Sequence, residues 1–176
     1  MQKRPERTVT RSFRIKESAF SALQEEAKKR NVSVNSLLNS LLISFADHDR
    51  FLEEFSMVKL ARPTLRRILQ ASSEEAIREA GKKAGSTIPR SFLMAKRGSV
   101  TRESLIDYLG LMSQYANLFE FNMTRHAGGT TVTLVHDLGF RGSEFFGEYV
   151  KWALRGTGSD EVVQIDEGSV TIELTD

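Results

Sequence analysis

The sequence has no cysteine, only three prolines and a single tryptophan among its 176 residues. The lack of cysteine excludes disulfides and thiolate metal sites, and it is typical of a cytosolic protein. No apolar run is long enough to span a bilayer, and no signal-peptide apolar region is present. His-x-x-x-His, Glu-x-x-His and nucleophile-elbow spacings are also missing. We therefore expect a cytoplasmic protein that is not an enzyme, with no membrane partner and no cofactor.

The charges are unevenly distributed, although the net charge is only +2. Residues 1–46 hold nine Lys and Arg against four Asp and Glu, and residues 59–102 hold eleven against three. Residues 103–176 reverse the balance, with four against twelve. A basic front and an acidic back favour a polyanion-binding protein whose acidic end faces away from the ligand.

The most informative segment is an alternating stretch at residues 9–15, which predicts a β-strand. Its apolar face is formed by Val9, Phe13 and Ile15. Its polar face is formed by Thr10, Ser12 and Arg14. A lone strand of this length is not stable in water, so the segment must pair with another strand.

Two helices are predicted to follow this strand. The first, over residues 17–30, carries Phe20, Leu23 and Ala27 at helical spacing. Asn31 then suits the left-handed residue that ends a helix, and Ser33 suits the N-cap of the next one. The second helix has an apolar stripe formed by Val34, Leu37, Leu38, Leu41, Leu42 and Phe45. So small a unit has too little core to stand alone, and two copies would supply both the missing strand and the missing core.

This order of elements resembles the ribbon-helix-helix family of DNA-binding proteins, the Arc/MetJ/CopG type, over roughly the first quarter of the chain. The resemblance rests on the alternating strand, on the turn at Asn31 and on the helix start Ser33-Val-Asn-Ser36. It implies a homodimer in which two strands pair as an antiparallel ribbon that enters the major groove of double-stranded DNA.

The resemblance also implies roles for individual residues. The base-contacting side chains would be Thr10, Ser12 and Arg14. The backbone N–H groups of Val34 and Asn35, at the helix start capped by Ser33, would bind a phosphate. Further phosphate contacts would come from the basic residues ahead of the strand, Lys3, Arg4 and Arg7. Arg11 departs from the family pattern, since that position is usually apolar: either it turns out to a phosphate, or the ribbon begins one residue later. An ordinary edge strand with an ordinary helix cap is the alternative interpretation.

Three regions are predicted: a ribbon-helix-helix domain at 1–46, a helical connector at 47–58 and an α+β domain at 59–176 built around an antiparallel sheet. In the third region, Ser72 or Ser73 begins a helix that ends near Ala84 with Gly85 as its cap, and Thr101 begins another. Strands are predicted over residues 118–125 and 130–136, which flank a hairpin turn, and over 162–165 and 169–174. An amphipathic helix is predicted over residues 141–154.

This third region is similar, without a diagnostic motif, to small-ligand domains related to 4-vinyl reductase, haem-nitric-oxide-binding and TRAPP-type proteins. The matching features are the helix segment at residues 79–85, the hairpin, residues 136–139 leading into an aromatic helix, and the terminal hairpin. The cysteines often found in 4-vinyl reductase relatives are missing, which puts metal or cluster binding in doubt. The resemblance implies an effector-binding or oligomerising module.

Four other features lead to separate expectations. His126, His136 and Asp137 could form a metal site or an acid–base pair, but a simple hairpin places His126 opposite Thr131 and keeps the imidazoles apart, so we expect His136 to orient a turn. His48 is expected to be exposed in the connector. The aromatic set of the third region is more typical of a core than of a ligand pocket. A basic cluster at residues 62–97 could extend the DNA footprint, meet the acidic third of a partner chain, or be solvated.

The sequence therefore predicts a dimeric transcriptional regulator, such as a repressor, that reads DNA with its N-terminal domain. A small-molecule effector of the C-terminal domain is a candidate partner. The alternatives are an antitoxin-type autorepressor, whose neutralising segment is usually short and unfolded, and a metal-responsive regulator or a small-molecule enzyme tethered to DNA.

Overall fold

A computed structural model describes residues 8–52, 58–155, 157 and 161–175. The chain forms two compact units, Met1–Ala46 and Asp47–Asp176. The predicted α+β class and antiparallel sheet are confirmed. Within the described residues, no helix combines the length and the apolar character needed to cross a membrane.

The first unit contains two helices joined by a tight turn. Helix α1 spans Glu17–Lys29 and helix α2 spans Val34–Ser44. Between them, Asn31 has a positive φ of 54°, the left-handed conformation predicted for it. The Ser33 hydroxyl accepts a hydrogen bond from the backbone N–H of Ser36 at 3.0 Å, which confirms the predicted N-cap.

The predicted strand ahead of these helices is absent. Residues 8–16 have no regular secondary structure before α1 begins. A β-strand exists only where a neighbouring strand accepts and donates its hydrogen bonds, and no strand in the described part of the chain pairs with this segment. The ribbon of the predicted ribbon-helix-helix domain is therefore not formed within one chain.

The segment predicted as a helical connector is helical in its first part. A π-helical turn spans Phe45–Asp49 and helix α3 spans Arg50–Leu52. Residues 53–57 lie outside the described residues, and residue 58 has no regular structure. His48 was expected to be exposed, and this is wrong: it is only 4% exposed.

Four further helices follow in the described part of the second unit. They are α4 (Arg62–Ala71), α5 (Glu74–Arg97), α6 (Arg102–Leu111), which continues into a π-helical turn (Met112–Ala116), and α7 (Phe140–Leu154). Ser73 and Thr101 cap α5 and α6 as predicted. The predicted end of α5 near Ala84 is wrong, because Gly85 lies inside the helix against the backbone of Tyr149 rather than at a helix terminus.

The sheet contains β1 (Glu120–His126), β2 (Gly129–Val135), β3 (Glu161–Asp166) and β4 (Ser169–Thr175) in the order β1-β2-β4-β3. All neighbouring strands are antiparallel. The predicted hairpin register is wrong by two residues, since His126 pairs with Gly129 and not with Thr131. The physical reason is the position of the turn: it consists of Ala127 and Gly128, so it is centred one residue earlier in the chain than predicted.

Helix α7 lies between the sheet and α5 and forms the centre of the second unit. Its Gly147 approaches Ile165 of β3, and its backbone at Phe145 and Tyr149 meets α5. The inner face of the sheet supplies the fully buried side chains Val132, Leu134, Val170, Ile172 and Leu174. Alternate residues of β2 and β4 therefore build this core, as the period of two requires.

Candidate nucleic-acid interface

The residues predicted to contact bases are accessible. Thr10, Ser12 and Arg14 are all exposed in the segment that precedes α1. The Arg11 guanidinium donates to the Thr10 carbonyl at 3.3 Å and is also exposed. Lys3, Arg4 and Arg7, predicted to contact phosphates, lie outside the described residues. Hydroxyl and guanidinium groups in this segment are able to donate to base edges or phosphates.

The start of α2 has the geometry of an anion-binding helix terminus. The first helical hydrogen bond runs from the Leu37 N–H to the Ser33 carbonyl, and the Ser33 hydroxyl accepts a hydrogen bond from the Ser36 N–H. The N–H groups of Val34 and Asn35 precede these bonds, so they have no acceptor within the helix. Asn35 is exposed and Val34 is half-buried. These are the two N–H groups that the sequence assigned to a phosphate, and their position at the positive end of the helix dipole favours an anion.

The first unit leaves most of its apolar side chains in water. Ala27 and Leu37 are its only buried hydrophobic residues among those described. Val9 and Phe13 are 75% and 60% exposed. The other large exposed apolar side chains are Ile15, Phe20, Val32, Leu41, Leu42, Ile43 and Phe45. This set includes the apolar face of the predicted strand and much of the predicted stripe of α2, so the surfaces meant for a core are available to another molecule.

In the second unit, both ring nitrogens of His136 contact neighbouring groups of the fold. Its Nδ1 accepts from the Leu138 N–H at 3.3 Å, and its Nε2 lies 3.2 Å from the Ser143 hydroxyl. The prediction that His136 orients a turn is confirmed. Burial lowers the pKa of His136, and the nearby Asp137 carboxylate partly offsets this. The contact between Ser143 and His136 joins the turn to the start of α7. Because Ser143 is fully buried, this pair offers no reactive atom to a substrate.

The described residues bring together no group of three metal-binding side chains. His126 is exposed and its Nε2 lies 3.1 Å from the Thr131 hydroxyl, whereas His136 is buried with Ser143. The sequence raised these histidines as a metal alternative, and the geometry gives that alternative no support.

Sequence reasoning missed an ion network around one buried carboxylate, Glu144, in the second unit. The Glu144 side chain is 1% exposed and accepts from Arg141 at 2.6 Å and from Arg78 at 3.4 Å. Glu74 lies 2.8 Å from Arg78 and 3.7 Å from Arg141. These pairs connect the first turns of α5 and α7. The only local signal was the spacing of Arg141 and Glu144, three residues apart on one helix face.

Sequence reasoning also missed three buried polar groups near the aromatic core, two tyrosine hydroxyls and one imidazole. The hydroxyls of Tyr108 and Tyr149 lie 2.7 Å apart, and burial raises the pKa of Tyr108 to about 12 and that of Tyr149 well above its usual value. His48 packs against Tyr115 and Phe92, with ring centroids 5.4 and 6.1 Å away. Its Nδ1 contacts Asp49 at 2.8 Å, but its buried Nε2 has no hydrogen-bond partner among the described residues.

Most of the aromatic set predicted to be core is buried or half-buried, but the prediction is wrong for Phe140, which is 46% exposed at the start of α7. Phe119, Phe145 and Phe146 make edge-to-face contacts with centroids 5.2 to 5.4 Å apart. Surface clefts of about 830 and 160 Å³ lie along α5 and α7, and they are lined largely by charged side chains such as Arg78 and Glu148. Pockets for drug-sized ligands are predominantly apolar, so neither cleft resembles one.

The chain is thus a two-unit α+β protein with an exposed basic and apolar N-terminal unit. Comparison with family models, curated proteins and solved structures yields no match.

Proposed function

We propose that this chain is a homodimeric, sequence-specific DNA-binding regulator of transcription that reads bases through residues 1–46. Each copy would contribute one strand at residues 9–15, and the two strands would pair as a ribbon in the major groove. Thr10, Ser12 and Arg14 read bases, and the α2 start at Val34 and Asn35 binds a phosphate. Residues 47–176 would form a sensing or oligomerising module, and the protein would act in the cytoplasm.

The observation that carries this proposal is the exposure of an apolar surface on a unit that has almost no core of its own. Units of about 40 residues rarely fold without oligomerisation, a metal or disulfides. This chain has no cysteine, and the described residues offer no metal cluster. A second copy would cover the surface, because each copy brings an identical unpaired segment at residues 9–15 and an identical exposed apolar stripe.

The alternation of residues 9–15 determines which face would meet DNA. When the apolar face of each strand packs onto the helices of the dimer, Thr10, Ser12 and Arg14 project from the opposite face. Arg14 is able to donate two hydrogen bonds to a guanine edge, and the two hydroxyls are able to bond several bases. The net positive charge of the unit adds attraction to phosphates without sequence information.

Sedimentation of the full chain tests the dimer. The wild-type protein is expected to sediment as a dimer of 19.8 kDa protomers. Leu41 is exposed on α2, and Leu41→Asp would place a carboxylate in the dimer core, so this variant is expected to sediment as a monomer and to lose DNA binding. Asn39→Asp is the matched control, because it changes the charge equally at an exposed polar position of the same helix.

A wild-type chain that sediments as a monomer at micromolar concentration, in both the presence and the absence of duplex DNA, would contradict the proposal. Equal dissociation of the Leu41→Asp and Asn39→Asp dimers would show that the exposed stripe is not the interface.

A further inference from the structure

Helix α4 in the second unit is strongly basic on its exposed side. Residues 58–73 contain four basic residues and no Asp or Glu. The opposite side of α4 is anchored to the core of the second unit by Leu65, which is half-buried, and by Leu69, which is buried. The helix therefore presents its solvent face from a fixed position on the second unit.

One of the basic side chains is used to hold α4 in place. The Arg62 guanidinium donates to the Asn117 carbonyl at 2.6 Å and to the Asp137 carboxylate at 3.3 Å. Arg62 is half-buried, so its contacts belong to the fold. It connects the first turn of α4 to two loops of the second unit.

The other basic residues of this segment, Lys59, Arg66 and Arg67, are exposed and have no carboxylate within salt-bridge distance in the part of the chain that the structure describes. The contrast with α5 is informative, since Lys82 and Lys83 both lie near Glu79 and Arg97 lies 2.8 Å from Asp107. A solvated helix of ordinary composition pairs many of its charges in this way.

The helical periodicity of α4 places Arg67 near the middle of its solvent face. The neighbours on that face are Pro63, Thr64, Gln70 and Ala71, all exposed and all shorter than Arg67. A guanidinium that stands above short neighbours is able to approach a phosphate with both of its N–H edges.

We propose that the exposed face of α4, through Arg66 and Arg67 and together with Lys59 of the segment ahead of the helix, binds the phosphate backbone of the same DNA that residues 1–46 read. This inference rests on the proposed function. The contact adds affinity without base recognition, because it involves phosphates alone.

DNA is favoured over the other polyanion available to this helix, the acidic C-terminal third of a second copy. Several carboxylates of that third already have cationic partners within the chain. Asp107 pairs with Arg97, Asp137 with Arg62, and Glu144 with Arg141. DNA offers a regular row of unpaired phosphates instead.

The test uses the full chain carrying Arg66→Gln and Arg67→Gln together. Its matched control carries Lys82→Gln and Lys83→Gln, which removes the same charge from α5, where both ammonium groups lie near Glu79. Affinity for a selected duplex and for an unrelated duplex is measured by fluorescence anisotropy over a series of salt concentrations. Sedimentation of each variant is recorded in parallel.

Each phosphate contact contributes about 0.9 to the slope of log affinity against log salt, so losing two contacts from each copy of a dimer should reduce the slope by roughly 3 to 4. Both duplexes should be bound more weakly by the same factor, and the control should match the wild type. An unchanged slope would overturn the inference. A double variant that alters only the sedimentation would also overturn it, since that result indicates that α4 binds an acidic protein surface instead of DNA.

The Arg14→Ala variant separates the two claims. If the wild type binds no duplex, both the proposed function and this inference fall. If Arg14→Ala loses the preference for the selected duplex while Arg66→Gln/Arg67→Gln binds as the wild type does, only the α4 contact is contradicted.

Discussion

Substitution of Gly85 by alanine should destabilise the second unit, although alanine is the better helix former. Gly85 lies inside α5, where the change to alanine would ordinarily stabilise a helix by about 1 kcal/mol. A Cβ at this position, however, would lie 2.1 Å from the Tyr149 carbonyl oxygen and 2.8 Å from the Tyr149 Cα. Both atoms belong to the backbone of α7, so no side-chain rotation relieves the clash.

The size of the effect follows from how far the two helices must move. Ordinary van der Waals contact needs 3.4 to 4 Å, so α5 and α7 must separate locally by more than an ångström. The hydrogen bond between Tyr149 and Tyr108 lies at the same place on α7. Overpacking of this kind typically costs 1–3 kcal/mol, and two rigid backbones place it at the upper end. After the gain in helix propensity, we expect a net loss of about 2 kcal/mol.

Equilibrium unfolding in urea, followed by the fluorescence of Trp152 on α7, measures this loss. With a slope of about 2 kcal/mol per molar urea, the midpoint should fall by roughly 1 M. Gly110→Ala is the matched control, because Gly110 is also inside a helix but a Cβ there meets nothing within 4 Å. This control should be stabilised by up to about 1 kcal/mol. A Gly85→Ala protein at least as stable as the wild type would refute the close packing of α5 on α7.

Two further predictions concern buried imidazoles. Because burial lowers the pKa of His136, the unfolded chain binds more protons than the folded one below about pH 6.5, so stability should fall as the pH drops through this range. His136→Asn keeps an acceptor for Leu138 and should reduce the pH dependence of unfolding between about pH 7.5 and 5.5; an unchanged dependence would exclude His136 as its source. His48→Leu removes an Nε2 that has no hydrogen-bond partner among the described residues, at the loss of a part-buried contact with Asp49, and should raise the free energy of unfolding by about 1 kcal/mol, whereas a destabilised variant would indicate a bonded imidazole.

Features that depend on neighbouring residues could be predicted from the sequence. Ser33, Ser73 and Thr101 cap helices because a hydroxyl at that position satisfies an N–H two or three residues ahead. Asn31 follows α1 and adopts the left-handed conformation that a short polar side chain tolerates. These contacts need no information from the rest of the chain.

Features that depend on tertiary contacts could not be predicted. Gly85 suggested a helix end, but Gly81 and Gly85 are small because the backbone of α7 passes over them, and α5 continues through Pro89. The buried Glu144 depends on Arg78, which lies 66 residues earlier in the chain. No periodicity in either segment marks that pairing.

The N-terminal site lies between these two cases. The alternation of residues 9–15 predicts a strand, but a strand forms only where a second strand pairs with it. The described part of the chain supplies no such strand. What the structure adds is the exposure of both faces of this segment and the helix start at Val34 and Asn35. The roles of Thr10, Ser12 and Arg14 in base recognition stay a prediction.

Selection of genomic DNA fragments by the full chain, repeated with the Arg14→Ala chain, tests the central claim most directly. We expect the wild-type dimer to enrich a small set of fragments that share paired half-sites, and the variant to lose that enrichment while keeping weak, salt-sensitive binding to any duplex. Enrichment of the same fragments to the same extent by both proteins would contradict base reading by the N-terminal ribbon.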